Sequence, residues 1–201
     1  MFTHITCYMP NKQKIQSKQD LQEFLKCEWQ LYRDYMAHCG MRYWWLWLTG
    51  DSIVKTMQWQ CASRRADYHG LMFASTRSLW HLLCKFWYVG KRNRLGLKLG
   101  LDIHTALIGK GLLIYHGNNV INYGCVIGEN LRLHGSVTIG NTGRDDNFVP
   151  TIGDNVKVGA GACLIGGITI ADGVTIGAGA VVVHSMTEPG MTVAGVPAKK
   201  L

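Results

Sequence analysis

The chain has 201 residues, a formal net charge of +8 and seven cysteines. The cysteines are widely spaced and form no C-x-x-C pair, which argues against a disulfide framework and a structural zinc site and indicates free thiols in a reducing cytoplasm. The N-terminus shows no basic segment followed by an apolar core, and no run of about 18 apolar residues occurs, so neither a signal peptide nor a membrane span is predicted.

Charge and composition divide the chain near residue 100. Residues 1–100 hold all seven Trp and 15 Lys or Arg against 6 Asp or Glu, whereas residues 101–201 hold 18 of the 24 Gly and 6 basic against 7 acidic residues. We therefore predict a helical N-terminal region over 1–95 and a second domain over 96–201. The basic residues are scattered and match no nucleic-acid-binding motif, so no nucleic-acid partner is expected and a solvated helix surface is the first interpretation of the charge. The alternative is that the tightest basic cluster, Lys91–Arg94, contacts anionic lipid at an inner membrane face.

Three helices are predicted in the first half. The first helix has apolar residues at three- and four-residue steps, with Ser17 as its N-cap and Gly40 as its C-cap. A second helix is predicted over 51–63 and a third over 71–89. The Trp-rich stretch 43–48 is typical of a core or a subunit interface.

A six-residue repeat fills the second half of the chain. Within three groups, aliphatic residues recur at steps of six, at positions 108, 114 and 120, then 127, 133 and 139, then 152, 158, 164, 170, 176 and 182. A step of six is neither the helical period nor strand alternation. A short strand plus a tight turn uses six residues, and three such units close a triangular coil of about 18 residues. The repeat therefore predicts a parallel β-helix with the aliphatic side chains stacked inside.

Two breaks interrupt this repeat. One residue is inserted between positions 120 and 127, and the gap between Ile139 and Ile152 exceeds two repeats by one residue. The second break contains the polar stretch 140–147, which predicts a loop that projects from the coil. Loops on rigid scaffolds commonly carry binding residues.

The motifs resemble those of the hexapeptide-repeat acyltransferases, in particular the serine acetyltransferase branch and the polysaccharide O-acetyltransferases close to it. The matching motifs are Leu101-Asp102-Ile103-His104, Ile108-Gly109-Lys110-Gly111-Leu112, Tyr115-His116-Gly117, Leu133-His134-Gly135-Ser136-Val137-Thr138-Ile139-Gly140 and Ala194-Gly195-Val196-Pro197-Ala198-Lys199. The resemblance covers residues 90–200. It implies a mainly β fold, a left-handed parallel β-helix after an α-helical N-terminal region. It also implies acetyl-CoA as co-substrate, a homotrimer with active sites between neighbouring chains, and no metal.

The resemblance also assigns catalytic residues. His116 stands at the position of the general base, and Asp102 stands where the family has the carboxylate that orients this base. A neutral imidazole suits the removal of a proton from an alcohol that attacks a thioester. His134 is the second candidate, for base or for acceptor binding.

Five further residues are expected to contact acetyl-CoA. The backbone N–H groups near Gly140 would stabilise the developing oxyanion. Small side chains at Ala160 and Ala178 would let the pantetheine arm approach the coils closely. Lys199 and Lys200 would contact CoA phosphate.

Three departures from the serine acetyltransferase pattern bear on the acceptor. The extended loop reads Asn147-Phe148-Val149-Pro150 in place of an Arg-His-Pro, Tyr115 replaces an Asp before His116, and the chain ends at Leu201, soon after the closing motif. These departures predict a sugar hydroxyl in a capsule, lipopolysaccharide or exopolysaccharide precursor as the acceptor. Serine, as in cysteine biosynthesis, is the alternative.

Two other classes of function compete with acetyl transfer. A β-helix carbonic anhydrase would hold zinc on three histidines, for which His104, His116 and His134 supply the number. The closing Gly-Val-Pro-Ala-Lys motif favours a CoA enzyme over that class. A trimeric scaffold without activity is the other alternative, and CoA binding would distinguish it from an enzyme.

Overall fold

The computed structural model describes residues 15–38, 52–143 and 148–201. Within these residues three α-helices precede a β-helix, as predicted: α1 (Lys18–His38), α2 (Ser52–Thr76) and α3 (Leu79–Leu99). The predicted C-cap Gly40, the Trp-rich stretch 43–48 and the predicted helix start at Asp51 lie outside the described residues. None of the helices in the described ranges is long and apolar enough to cross a membrane.

The start of α1 is capped as its sequence predicts. The backbone N–H of Asp20 donates to Ser17 Oγ at 3.1 Å, and the N–H of Ser17 donates to Asp20 Oδ2 at 2.8 Å. This reciprocal pair is a capping box with an acidic residue at its third position. The N–H of Gln16 also donates to the Asp20 carboxylate, and this bond is the main reason that the pKa of Asp20 is lowered.

The boundary between the second and third helices differs from the prediction. The expected break over 64–70 is wrong, because α2 continues through it to Thr76 and α3 begins only at Leu79. Arg64 and Ala66 are buried in this stretch, so tertiary contacts keep it helical despite its polar sequence. The chain reverses at Arg77, whose φ of 55° lies in the left-handed region.

Fourteen short strands form the β-helix over the described parts of residues 102–200. They are β1 (Asp102–Ile103), β2 (Leu113–Ile114), β3 (Val120–Ile121), β4 (Val126–Ile127), β5 (Arg132–Leu133), β6 (Thr138–Gly140), β7 (Thr151–Ile152), β8 (Lys157–Val158), β9 (Cys163–Ile165), β10 (Thr169–Ile170), β11 (Thr175–Ile176), β12 (Val181–Val182), β13 (Thr192–Ala194) and β14 (Lys199–Lys200). They build three faces: face 1 (β1-β3-β6-β9-β12), face 2 (β4-β7-β10) and face 3 (β2-β5-β8-β11-β13-β14). All pairs are parallel except β13 with β14.

A column of aliphatic side chains fills the interior, as the repeat predicts. The predicted interior residues are almost fully buried except at one position, where Val120 is 43% exposed and Ile121 is 3% exposed. Ile121 pairs in register with Ile103 and Ile139. The inserted residue therefore lies between Ile114 and Ile121, and the predicted place of the insertion, after position 120, is wrong. Positions 120 and 121 are both aliphatic, so the sequence fits two registers. Either Val120 faces inward and the longer turn follows it, or Ile121 faces inward and the longer turn precedes it.

Because Ile121 faces inward and Val120 faces outward, two neighbouring substitutions should destabilise the protein to different extents. Ile121→Ala should lower the free energy of unfolding by about 2–5 kcal/mol, because it opens a cavity inside the coil. Val120→Ala should lower it by about 1 kcal/mol or less, because that side chain faces solvent. Urea unfolding followed by circular dichroism measures both. A larger loss of unfolding free energy for Val120→Ala than for Ile121→Ala would show that Val120 faces inward, as the sequence predicted.

Polar side chains of the helices cover the open end of the first coil. Arg64 is 1% exposed and donates to the carbonyls of Thr105 and Ile108 at 2.8 Å and of Gly109 at 2.7 Å. Gln60 donates to the carbonyl of Leu112 at 2.9 Å. The edge of a β structure carries unpaired backbone groups, so these donors replace the missing preceding coil.

Candidate functional site

The turns that lead from face 3 to face 1 stack into one corner, here called the histidine corner (residues 115–119, 134–137, 159–162 and 177–180). Backbone hydrogen bonds join the successive turns: Ser136 N–H to Gly117 O at 3.1 Å, Gly161 N–H to Gly135 O at 2.9 Å and Gly179 N–H to Ala160 O at 2.8 Å. Four of the predicted site residues share this corner, namely His116, His134, Ala160 and Ala178. All four are exposed.

The two histidines lie on adjacent coils, offset by one residue. Because Ile114 pairs with Leu133, Tyr115 rather than His116 lies opposite His134. The rings of Tyr115 and His134 stack, with centroids 4.6 Å apart and planes 22° apart. A Cβ added at Gly135 would lie 3.0 Å from His116 Cβ, so the glycine lets the second coil pass close beneath His116. The sequence predicted this arrangement of near neighbours that do not stack directly.

The environment of His134 favours a neutral imidazole. Although the His134 side chain is largely exposed, the partial loss of solvent around its ring lowers its pKa below the ordinary value, and the positive charge of a protonated His116 lowers it further. Since the folded pKa is below the unfolded one, protonation of His134 opposes folding, and its destabilising effect grows as pH falls through 6.5. Near pH 7 the corner therefore holds a neutral ring beside His116.

Asn119 supports the backbone of His116. Its side chain is completely buried; Nδ2 donates to His116 O at 2.7 Å and Oδ1 accepts from Val137 N at 2.9 Å. The turn containing His116 has the extra residue, and Asn119 fills the resulting gap between two coils. Asn119 was not predicted as a site residue from the sequence. The feature that indicates it is the seven-residue step from Ile114 to Ile121, which contains an amide residue.

Asn119→Ala is expected to lower the free energy of unfolding by about 1–3 kcal/mol, because it leaves two buried backbone groups without a partner. It should also lower kcat for acetyl transfer, since the backbone that carries His116 is released. Thermal unfolding and steady-state kinetics on one preparation measure the two effects. Asn118→Gly is the matched control, because Asn118 has φ of 60° and uses its backbone N–H rather than its side chain in this turn. The supporting role is wrong if both variants have wild-type kcat.

A shallow cavity of about 340 Å³ lies on face 1 and extends to the strand ends at Asn122 and Asn141. Two more predicted site residues, Asp102 and Gly140, line it together with His104. Asp102 pairs in register with Val120, four residues after His116. No hydrogen bond between the side chains of Asp102 and His116 occurs in the described ranges, so the orienting role of Asp102 stays a prediction.

Gly140 and the two lysines differ in how free they are to bind a ligand. Gly140 is buried and belongs to the ladder between β6 and β9, opposite Ile165. Its oxyanion role stays a prediction. Lys200 Nζ contacts Glu188 Oε1 at 2.6 Å. Lys199 is exposed and forms no ion pair within the described part of the chain, which makes it the more available cation.

The zinc-enzyme alternative finds no support in the arrangement of its histidines. Within residues 15–38, 52–143 and 148–201 no group of three His, Cys, Asp or Glu side chains is placed to hold a metal ion. His104 lines the cavity on face 1, whereas His116 and His134 lie on the corner.

Family and sequence comparisons agree with the fold. Residues 150–184 match the family "Bacterial transferase hexapeptide (six repeats)". The serine acetyltransferase of Staphylococcus xylosus is 38% identical over 137 residues, which cover 62% of this chain and 63% of that protein. The chloroplastic serine acetyltransferase 1 of Arabidopsis thaliana is 40% identical over 95 residues, 46% of this chain and 30% of that protein. The chain thus spans less than two thirds of the length of these relatives.

Solved structures show the same relationship over most of the chain. The serine acetyltransferase of Neisseria gonorrhoeae in complex with serine has a TM-score of 0.67 and 26% identity, covering 92% of this chain and 70% of that one. The soybean serine acetyltransferase complexed with serine has a TM-score of 0.65 and 27% identity, covering 90% of this chain and 69% of that one. These matches confirm the left-handed β-helix with a helical N-terminal region.

The prediction of a sugar or polysaccharide acceptor is wrong. The relatives named above are serine acetyltransferases, and they favour the alternative, serine. The sugar prediction rested on three departures from the serine acetyltransferase pattern, namely the missing Arg-His pair in the loop, Tyr115 and the short ending, and all three are negative evidence.

Proposed function

We propose that this protein, which carries the hexapeptide repeats of bacterial transferases, is an acetyl-CoA-dependent serine O-acetyltransferase. The chain resembles the serine acetyltransferase branch of the hexapeptide-repeat enzymes. The observation that carries the proposal is the 38% identity to the Staphylococcus xylosus serine acetyltransferase over 137 residues. The match to a serine-bound relative over 92% of the chain supports it independently.

His116 is the proposed general base. It removes the proton from the serine hydroxyl as the oxygen attacks the thioester carbonyl of acetyl-CoA. The C–S bond then breaks, the acetyl group stays on the serine oxygen, and the CoA thiolate takes up a proton. His134, whose pKa is lowered, stays neutral near pH 7 and adds no positive charge beside the base.

The histidine corner also supplies a path for the pantetheine arm of acetyl-CoA. Below His134 the corner presents Ala160-Gly161 and Ala178-Gly179, and a Cβ added at either glycine would meet nothing within 4 Å. A narrow, flexible chain such as the pantetheine arm fits along this strip of small residues. Lys199 lies in β14, which follows the last of these turns in the chain. Its ammonium group is suited to bind a phosphate group of CoA.

The exposure of His116 supports a homotrimer. Acetyl transfer to an alcohol rather than to water requires a site that excludes water. The corner is exposed and offers only one wall of such a site. A neighbouring copy placed against the corner would supply the second wall, which gives one active site at each of three interfaces.

Activity with L-serine tests the proposal. Purified protein, acetyl-CoA and L-serine should release free CoA with saturable dependence on serine, and the product should be O-acetylserine by mass spectrometry. L-alanine is the matched control, because it keeps the ammonium and carboxylate groups and lacks the hydroxyl. No release above the L-alanine level at any serine concentration would refute the proposed function.

A further inference from the structure

The outer side of α3 carries a large exposed apolar surface. At 3.6 residues per turn, five apolar residues in the first half of the helix share one side. They are between 62% and 73% exposed: Leu79, Trp80, Leu83, Phe86 and Trp87. We call these five residues the aromatic face. Contiguous exposed apolar patches on a folded protein usually mark a binding surface.

The same side of α3 becomes cationic in its second half. Lys91, Arg94 and Lys98 follow the aromatic face on the same side of the helix and are exposed. Lys91 Nζ lies 5.6 Å from the centre of the Trp87 ring. This cation–π distance brings the cationic half of the helix into contact with its aromatic face.

The opposite side of α3 packs on the protein. His81 and Tyr88 meet α2, where His69 Nδ1 lies 2.9 Å from His81 Nδ1 and the ring of His69 stacks on Tyr88 at 5.6 Å. Gly96 and Leu99, near the end of α3, are also buried. The contacts with α2 therefore hold the helix with its aromatic face outward.

The charge around this face is of one sign. Residues 68–101 contain six Lys or Arg and no Asp or Glu. A second copy of the chain docking through the same face would bring like charges together. An anionic surface gains both the burial of the aromatic side chains and the attraction of the cations.

We propose that α3 lies in the plane of an anionic lipid surface, with the aromatic face inserted among the acyl chains and the cations at the headgroups. This geometry needs no membrane-crossing helix, and the described helices include none. It places the β-helix beside the membrane and does not depend on the acceptor of the acetyl group.

Vesicle pelleting with the full chain tests the proposal. The protein should pellet with vesicles of phosphatidylglycerol and phosphatidylcholine and stay in solution with phosphatidylcholine alone. Added salt should weaken the binding only in part, because the aromatic contribution is not screened. Equal pelleting with both lipids, or none with either, would overturn the proposal.

Two variants separate this surface from general charge attraction. Arg94→Glu with Lys98→Glu should weaken binding at least tenfold, and Trp80→Ser with Trp87→Ser should weaken it comparably. The control Lys18→Glu with Lys26→Glu makes the same charge change on exposed positions of α1 and should bind almost as well as wild type. Circular dichroism checks that each variant is folded. Equal losses in the control pair would overturn the proposal. So would a smaller assembly of the Trp80→Ser, Trp87→Ser variant in gel filtration, because it would assign the face to a second copy.

Discussion

Replacing His116 by alanine is expected to lower kcat with L-serine by about 10²- to 10⁴-fold, the usual contribution of a general base. Affinity for acetyl-CoA should change little, because the pantetheine path is assigned to other turns of the histidine corner. Stopped assays of free CoA measure kcat, and calorimetry measures CoA binding. His184→Ala is the matched control, because His184 is exposed and lies on no proposed part of the site. Undiminished turnover in the His116 variant would remove the mechanism.

The pH dependence separates His116 from His134. The pKa of His134 is lowered by burial and by the charge of His116, so His134 takes up its proton only below its ordinary pKa. His134→Asn is therefore expected to keep the acid limb of the kcat/KM profile where it is in the wild type. Loss of the acid limb of the kcat/KM profile in His134→Asn would show that His134, rather than His116, is the base.

Replacing Arg64 by methionine is expected to lower the free energy of unfolding by about 3–5 kcal/mol. Arg64 Nη2 lies 2.8 Å from Glu28 Oε1, and both side chains are almost fully buried. Burial already raises the pKa of Glu28 and Arg64 opposes that effect, while Glu28 Oε2 has no hydrogen-bond partner among the residues that the structure describes. Without the guanidinium, a buried carboxyl group and three carbonyls at the open end of the first coil lose their partner.

Denaturant unfolding measures this loss. Arg33→Met is the control, because Arg33 is exposed on α1 and, within the described ranges, its side chain donates a hydrogen bond to Gln30 Oε1 alone, at 2.7 Å. Adding Glu28→Gln to Arg64→Met should recover part of the stability, since it removes the uncompensated carboxylate. A loss below about 1 kcal/mol in the single variant would show that the guanidinium does not hold the helices to the β-helix.

The β-helix could be predicted because its information is local and repeated. Each coil needs an aliphatic residue inside and small residues at its corners, so the period of six carries the fold. Ile121 shows the limit of this reasoning. Two adjacent aliphatic residues satisfied the pattern, and only the ladder through Ile103 and Ile139 decided which one faces inward.

The helical region was predicted less well because its boundaries depend on distant contacts. Arg64 donates to carbonyls about 40 residues away in the chain, and Ala66 is buried, so the packing of α2 on the β-helix depends on contacts that the local sequence does not show. Helix propensity is a weak prior that such tertiary contacts override.

By itself, the sequence determined the repeat fold, the capped start of α1 and the resemblance that names His116, Asp102 and acetyl-CoA. Each of these depends on residue types at fixed local spacing. Only the tertiary structure decided that His116 rests on the buried Asn119, that His134 stacks on Tyr115, and that the aromatic face of α3 points outward. These features depend on which coils and helices come together, and a linear spacing does not contain that information.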